Sequence, residues 1–189
     1  MKEILTVEEL MVPLEEYATV HEAASLFEAV VALEAAQERY NEKKHSYLHR
    51  AILVLNDKRE VVGKISQHDV LRALEPRYED IGDTRALSRA GLSANFLRSM
   101  MENFSFCDAS LSDMCGKALN VSVKKFMYKP DEGEYVAADS SLCEAIHMLI
   151  MGQHQGLLVV KDGQIAGVLR LSDVFMKVFE IMKQCNLNA

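Results

Sequence analysis

The sequence has no excess of positive charge and no long hydrophobic run. Its 189 residues include 21 Lys and Arg against 28 Asp and Glu, which gives a formal net charge of −7. Because nucleic-acid binding needs a basic face, this balance disfavours a phosphate backbone as the main partner. No apolar run reaches membrane-spanning length, and the first residues lack the apolar core of a signal peptide. We therefore expect a chain that binds neither nucleic acid nor membrane.

Paired cysteine motifs and catalytic motifs are also missing. The four cysteines form no C-x-x-C pair and lie at Cys107, Cys115, Cys143 and Cys185. This usage is typical of reduced thiols in a cytoplasmic protein. His45 and His49 share the spacing of one helix face, but no third metal ligand accompanies them. No Walker-type loop or nucleophile motif occurs, so the sequence predicts neither an enzyme nor a metal site.

The most informative feature of the sequence is an internal repeat. The string GKISQHD at 63–69 matches GVLRLSD at 167–173. Each string ends an apolar, β-branched run, at 51–55 and 157–160, and each opens a helical pattern. This predicts a duplicated strand–turn–strand–helix unit. The hydrophobic content of 49% is ample for a core shared by two small halves.

The first copy, assigned to residues 1–76, contains a long amphipathic element. A strand is predicted near 15–19, and a helix from Thr19 to about Lys44 with Glu22 as its capping-box partner. The first turns of this helix are nearly all apolar and should be covered on most sides. The second half is polar, which indicates a solvated surface or a docking arm for another protein. Strands at 51–55 and 61–66 and a helix that ends near Pro76 complete the copy.

The second copy, assigned to residues 121–189, repeats this plan after a connector. The connector, 77–120, matches neither copy and is predicted to hold loops and two helices, at 93–102 and 110–119. A strand is predicted at 135–138 and a helix from Ser141, which parallels Thr19. The offset between the copies falls from 122 at the helix start to 105 at the next strand. The difference locates an extension of about 17 residues in the first long helix.

The repeated pattern resembles a pair of cystathionine-β-synthase-type (CBS) domains, also called a Bateman module. The resemblance rests on the element order and on the string Gly-x-x-Ser/Thr-x-x-Asp, and it covers about 5–75 and 121–185. It implies an α+β fold in which two β-α-β-β-α repeats pack about a pseudo-twofold axis. Modules of this family usually pair again into a disk, which implies a homodimer. The apolar positions that suit such a dimer face, or burial within one chain, are Val174, Phe175, Val178, Phe179 and Met182.

The resemblance also implies two clefts that bind adenosine compounds. In the first cleft, Asp69 would accept the ribose hydroxyls, Ser66 and Arg50 would bind phosphate, and Ile65 would line the adenine. His49 precedes Arg50 and belongs to the same set. Without a ligand, Ser66 and Asp69 would still serve as a helix cap.

The second cleft departs from the family pattern. Its implied residues are His154, Leu169, Arg170 and Asp173. Arg170 occupies the Ser/Thr position, and Gln155 replaces the basic residue found at Arg50. Arg170 either reaches a phosphate itself or fills the cleft, and the sequence leaves both alternatives open. The first cleft is therefore the favoured site.

These features predict a stand-alone regulatory protein that senses an adenosine-containing ligand. The expected ligands are AMP, ADP or ATP, or S-adenosylmethionine, and no cofactor is required. A homodimer would then change shape when the ligand binds. The alternative is a ligand-free module with degenerate clefts that binds an unidentified protein partner.

Overall fold

The computed structural model describes residues 5–42, 49–81, 91–103, 106 and 109–187. These residues form seven strands in two sheets and six α-helices. The strands are β1 (Val12–Pro13), β2 (Thr19–His21), β3 (Ala51–Leu55), β4 (Val61–Ser66), β5 (Tyr135–Ala137), β6 (Gly156–Lys161) and β7 (Gln164–Arg170). The helices are α1 (Leu26–Glu42), α2 (Gln67–Ala73), α3 (Ala94–Asn103), α4 (Leu111–Ala118), α5 (Leu142–Gly152) and α6 (Leu171–Leu187).

The two sheets confirm the predicted duplication and the α+β class. In the first sheet β2 pairs parallel with β3, and β3 pairs antiparallel with β4. In the second sheet β5, β6 and β7 repeat this order. The apolar runs at 51–55 and 157–160 are buried at their centres, as expected for strands covered on both faces. The turn between β6 and β7 places Asp162 and Gly163 at positive φ, 51° and 74°, the geometry that a tight hairpin needs.

The predicted start of the first long helix is wrong. Residues 19–21 form β2, and a 3₁₀ turn (Leu14–Glu16) precedes it where the sequence predicted a strand. The helix begins at Leu26, where the Ser25 hydroxyl accepts from the Glu28 N–H at 3.3 Å and the Glu28 carboxylate accepts from the Ser25 N–H at 2.7 Å. Ser25 is therefore the counterpart of Ser141, at an offset of 116. The extension in the first copy shrinks to about 11 residues, and six of these lie within α1, which has 17 residues against 11 in α5.

The two repeats exchange their first strands. β1 of the first repeat pairs antiparallel with β7 of the second, with Pro13 opposite Gly167. Tyr128, near the start of the second repeat, forms the matching bridge to Lys64 in β4. A Cβ at position 167 would collide with the Val12 carbonyl oxygen, so only glycine permits this approach. Each sheet is therefore completed by the other repeat.

The helices cover the sheets on one side and leave several apolar residues exposed. Leu26 and Ala29 of α1 are buried, but Phe27, Val30 and Val31 are exposed, so the described part of the chain does not cover this helix on most sides as expected. The two connector helices are confirmed as α3 and α4, and α3 contributes no buried residue. The polar half of α1 continues to Glu42, with Glu34, Glu38 and Arg39 exposed. Lys43, Lys44, the loop at Gly82 and Asp83, and Cys107 lie outside the described residues. None of the helices described here is long and apolar enough to cross a membrane.

Candidate ligand-binding site

A cavity of about 460 Å³ lies between the two repeats. Both repeats supply its walls, because the ends of β3 and β4 face the ends of β6 and β7 across the pseudo-twofold axis. Its apolar walls include Leu53, Leu157, Leu158 and Val168. Its polar and charged lining residues include Arg50, Lys64, Ser66, His68, Gln155 and Arg170. The structure thus brings residues predicted for two separate clefts, Arg50 and Ser66 of the first and Arg170 of the second, to one cavity.

Ser66 and Asp69 form the predicted cap of α2. The Asp69 Oδ2 accepts from the Ser66 N–H at 2.8 Å and from the Ser66 hydroxyl at 2.6 Å. The Ser66 Oγ in turn accepts from the Asp69 N–H at 3.3 Å. Asp69 is buried, and its other oxygen lies 3.8 Å from Arg72 Nη1. Ser66 therefore lines the cavity, and the buried Asp69 carboxylate fixes the position of Ser66 from the side away from the cavity.

Arg170 and Asp173 occupy the equivalent positions in the second repeat and form an ion pair. Arg170 Nε and Nη2 donate to the two Asp173 oxygens at 2.5 and 2.7 Å, a bidentate arrangement. Only 5% of Arg170 is exposed, yet it lines the cavity. Arg170 therefore lines the cavity with its guanidinium already bound to a carboxylate.

His49 lies behind the cavity wall and links the two repeats. It is fully buried, its ring centroid is 4.6 Å from that of Tyr17, and its Nδ1 lies 3.4 Å from Arg170 Nη1. Burial, and then the positive charge of Arg170, lower the pKa of His49 from 6.5 to about 4. His49 is therefore neutral at physiological pH, and its Nδ1 accepts from the arginine.

Acidification is expected to destabilise the protein through His49. Because the pKa is about 4 in the folded chain and 6.5 in the unfolded chain, protonation favours unfolding. Stability is complete above pH 7 and falls as the pH drops through 6.5 towards 4. Between pH 7.5 and 5 the wild type should lose about 2 kcal/mol more than a His49→Gln variant, measured by urea unfolding. Identical losses in the two proteins would contradict a neutral buried His49.

Lys64 was not among the predicted site residues, but it lines the cavity and crosses to the second repeat. Its Nζ forms an ion pair with Glu134, of which only 2% is exposed, and lies 5.2 Å from the centre of the Tyr128 ring. Glu134 also belongs to a capping box with Asp131. The alternation of side chains along β4 could have identified Lys64, because it lies two residues before Ser66 and shares its face.

The other predicted residues take different places. Ile65 and Leu169 are fully buried in the two hydrophobic cores, each between two residues that line the cavity. His154 is half-buried next to Gly152. His45 lies outside the described residues, and no three metal-ligating side chains cluster within the described part of the chain.

A family model for the CBS domain matches residues 7–76 and 123–180. The chain belongs to the CBS-domain family. The CBS-pair protein CBSX2 from Arabidopsis thaliana has a similar structure, with 18% identity and a TM-score of 0.60, over 96% of this chain and 99% of that one. A structure of CBSX2 in complex with AMP is similar over 94% of this chain and 98% of the other, with 20% identity and a TM-score of 0.52.

A third similar structure is a CBS domain-containing protein of unknown function from Bacillus anthracis. It has 17% identity and a TM-score of 0.60, over 93% of this chain and 94% of that one. No curated protein matches this chain significantly in sequence. At these identities the CBS-pair structures show the fold that the two repeats share.

Proposed function

We propose that this CBS-pair protein is a regulatory protein that binds an adenosine-containing ligand in the cavity between its repeats. The observation that carries the proposal is the single cavity that combines Arg50 and Ser66 with apolar walls. Its volume, about 460 Å³, lies within the range of pockets that enclose small molecules. CBSX2, which shares the fold, has been solved in complex with AMP. We rank AMP, ADP and ATP ahead of S-adenosylmethionine as regulatory ligands.

Each polar residue has a role in this proposal. Arg50 donates to a phosphate, and Ser66 at the start of α2 supports the same group. Asp69 is buried behind Ser66, so in this proposal it orients the Ser66 hydroxyl towards the ligand and does not itself contact the ribose. The apolar walls, with Leu53 and Val168, enclose the adenine. Binding then shifts the equilibrium between two arrangements of the repeats only as far as its affinities for them differ.

A thermal-shift panel tests this function. The melting temperature is expected to rise saturably with AMP, ADP or ATP, as mass action requires of a ligand that binds the folded state. Arg50→Met should weaken nucleotide binding about tenfold or more, because a hydrogen bond between charged groups is lost. Arg98→Met, on the exposed surface of α3, is the matched control and should change nothing. A flat panel, for protein shown to carry no co-purified nucleotide, would contradict the proposal.

A ligand-free interaction module is the second candidate. It is favoured by the state of the two cleft carboxylates, since Asp69 is engaged in its helix cap and Asp173 by Arg170. Under this proposal the cavity stays empty of nucleotide and a protein partner docks on the helices. The flat thermal panel described above is the result expected from this candidate.

We also propose a homodimer that forms through α6 and its neighbour α5. One side of α6 packs into the core, where Val174 is buried and Val178 is partly buried. The opposite side and the neighbouring α5 expose large apolar side chains, which are Phe175, Phe179 and Met182 on α6 and Ile150 and Met151 on α5. A second copy of the chain would cover this apolar face. Sedimentation should show a dimer that Phe179→Glu converts to a monomer. Phe96→Glu on α3 is the matched control, since the exposed fractions are 42% and 43%, and a monomeric wild type would rule the dimer out.

We further propose that the protein acts in the cytoplasm and catalyses no reaction. Cys115, Cys143 and Cys185 are free thiols, the state that a reducing compartment maintains. Disulfide-linked protein isolated from cells with its thiols blocked would argue against this compartment. Release of phosphate from ATP by the purified protein would argue for an enzyme.

A further inference from the structure

Three permanent cations line the cavity, and two of them are already neutralised by carboxylates. Lys64 forms its ion pair with Glu134, and Arg170 forms its bidentate pair with Asp173. Both carboxylates are largely withdrawn from water, since Glu134 is buried and the Asp173 side chain is mostly covered. These pairs are therefore screened little by solvent, and each contributes almost no net charge to the cavity.

Arg50 differs from the other two cations. It is exposed at the edge of the cavity and makes no ion pair with any carboxylate of the residues that the structure describes. His68 also lines the cavity. Among the described residues, the three lining cations have two carboxylate partners between them, which leaves the charge of Arg50 uncompensated.

We propose that Glu134 and Asp173 are specificity-determining residues that limit the ligand of this cavity to a single phosphate group. The inference rests on the proposed function and names the ligand class, a nucleoside monophosphate. A second or third phosphate would approach cations that already have acidic partners. It would meet ion pairs that carry almost no net charge, and it would lose its hydration without gaining an unpaired cation.

Calorimetric titration with adenosine, AMP, ADP and ATP tests the predicted preference for a single phosphate group. The titrations are made at pH 8 with EDTA, so that no divalent cation shields the phosphates. AMP should bind best, and both adenosine and ATP should bind about tenfold more weakly. ATP that binds as well as AMP would overturn the inference and leave the proposed function intact. Absence of binding by all four would overturn the proposed function itself.

Charge variants test the role of the carboxylates. Asp173→Asn removes the acidic partner of Arg170 and should raise the affinity for ATP relative to AMP about tenfold. The matched control is the double variant Arg170→Met with Asp173→Asn, which removes both charges and should keep the preference for AMP. If Asp173 had a purely structural role, Asp173→Asn would lower the affinity for all nucleotides equally. An unchanged ratio of the ATP affinity to the AMP affinity in this variant therefore overturns the inference. If this variant does not fold, Glu134→Gln provides the same test through Lys64.

Discussion

Replacement of Lys64 by Met is expected to lower the free energy of unfolding by about 3 kcal/mol or more. The loss arises because Glu134, which is buried, would keep its negative charge without a counter-ion. Lys64 also contacts the face of the Tyr128 ring, and its backbone bridges to Tyr128. The substitution therefore weakens a connection between the two repeats. Urea unfolding followed by circular dichroism measures the effect.

Lys124→Met is the matched control for Lys64→Met. Lys124 Nζ lies 2.9 Å from Glu22, but the Lys124 side chain is 62% exposed. Water and salt screen such a pair, so the expected loss is about 0.5 kcal/mol. The double variant Lys64→Met with Glu134→Gln should recover part of the loss, because no buried charge remains. Similar losses for Lys64→Met and Lys124→Met would show that Glu134 does not depend on Lys64.

Replacement of Gly167 by Ala is expected to cost about 3 kcal/mol, at the upper end of overpacking effects. The added methyl group would meet the backbone of Val12, and backbone cannot rotate away as a side chain can. The pairing of β1 with β7 would have to open or shift. Hydrogen exchange at the amides of β1 and β7 should show this opening directly.

Gly63→Ala is the matched control at the equivalent position of the first repeat. Its Cβ would meet the Met127 sulfur at 2.7 Å, which a flexible thioether can relieve, and the Tyr128 carbonyl oxygen at 3.2 Å, a milder contact than that with Val12. The expected loss is about 1 kcal/mol. Gly116→Ala in α4, where no atom lies within 4 Å, should stabilise by up to about 1 kcal/mol because alanine favours helices. A loss at Gly63 that equals the loss at Gly167 would contradict the explanation from the Val12 backbone.

The sequence predicted the central strands β3, β4, β6 and β7 well, but it predicted the start of α1 and the short strand before it poorly. The runs at 51–55 and 157–160 are long, apolar and β-branched, and no competing structure has the same pattern. The start of α1 was ambiguous because Thr19 and Ser25 each precede a Glu by three residues, so local capping chemistry allows both. In the folded chain residues 19–21 pair with β3, more than thirty residues away, so the helix begins after Ser25 and not after Thr19. Such a contact leaves no local signal.

The candidate site was predictable where its contacts are local. The cap of Ser66 by Asp69 spans three residues, and so does the pair of Arg170 with Asp173. Alternation along β4 also excludes Ile65 from the face of Ser66. The pair of Lys64 with Glu134 spans 70 residues and joins two repeats, so only the folded chain shows it. The meeting of Arg50 and Arg170 at one cavity likewise depends on how the repeats pack.

The exchange of first strands between the repeats has a consequence for biosynthesis. Val12 leaves the ribosome early, but its partner Val168 is translated roughly 155 residues later. At the usual speed of synthesis, on the order of 5–20 residues per second, β1 waits on the order of ten to thirty seconds. The outer edge of β4 is uncovered for a shorter time, because Tyr128 follows Lys64 by 64 residues and then bridges it, and until then the nascent first half must remain unaggregated. Final closure of both sheets is therefore a late event of translation.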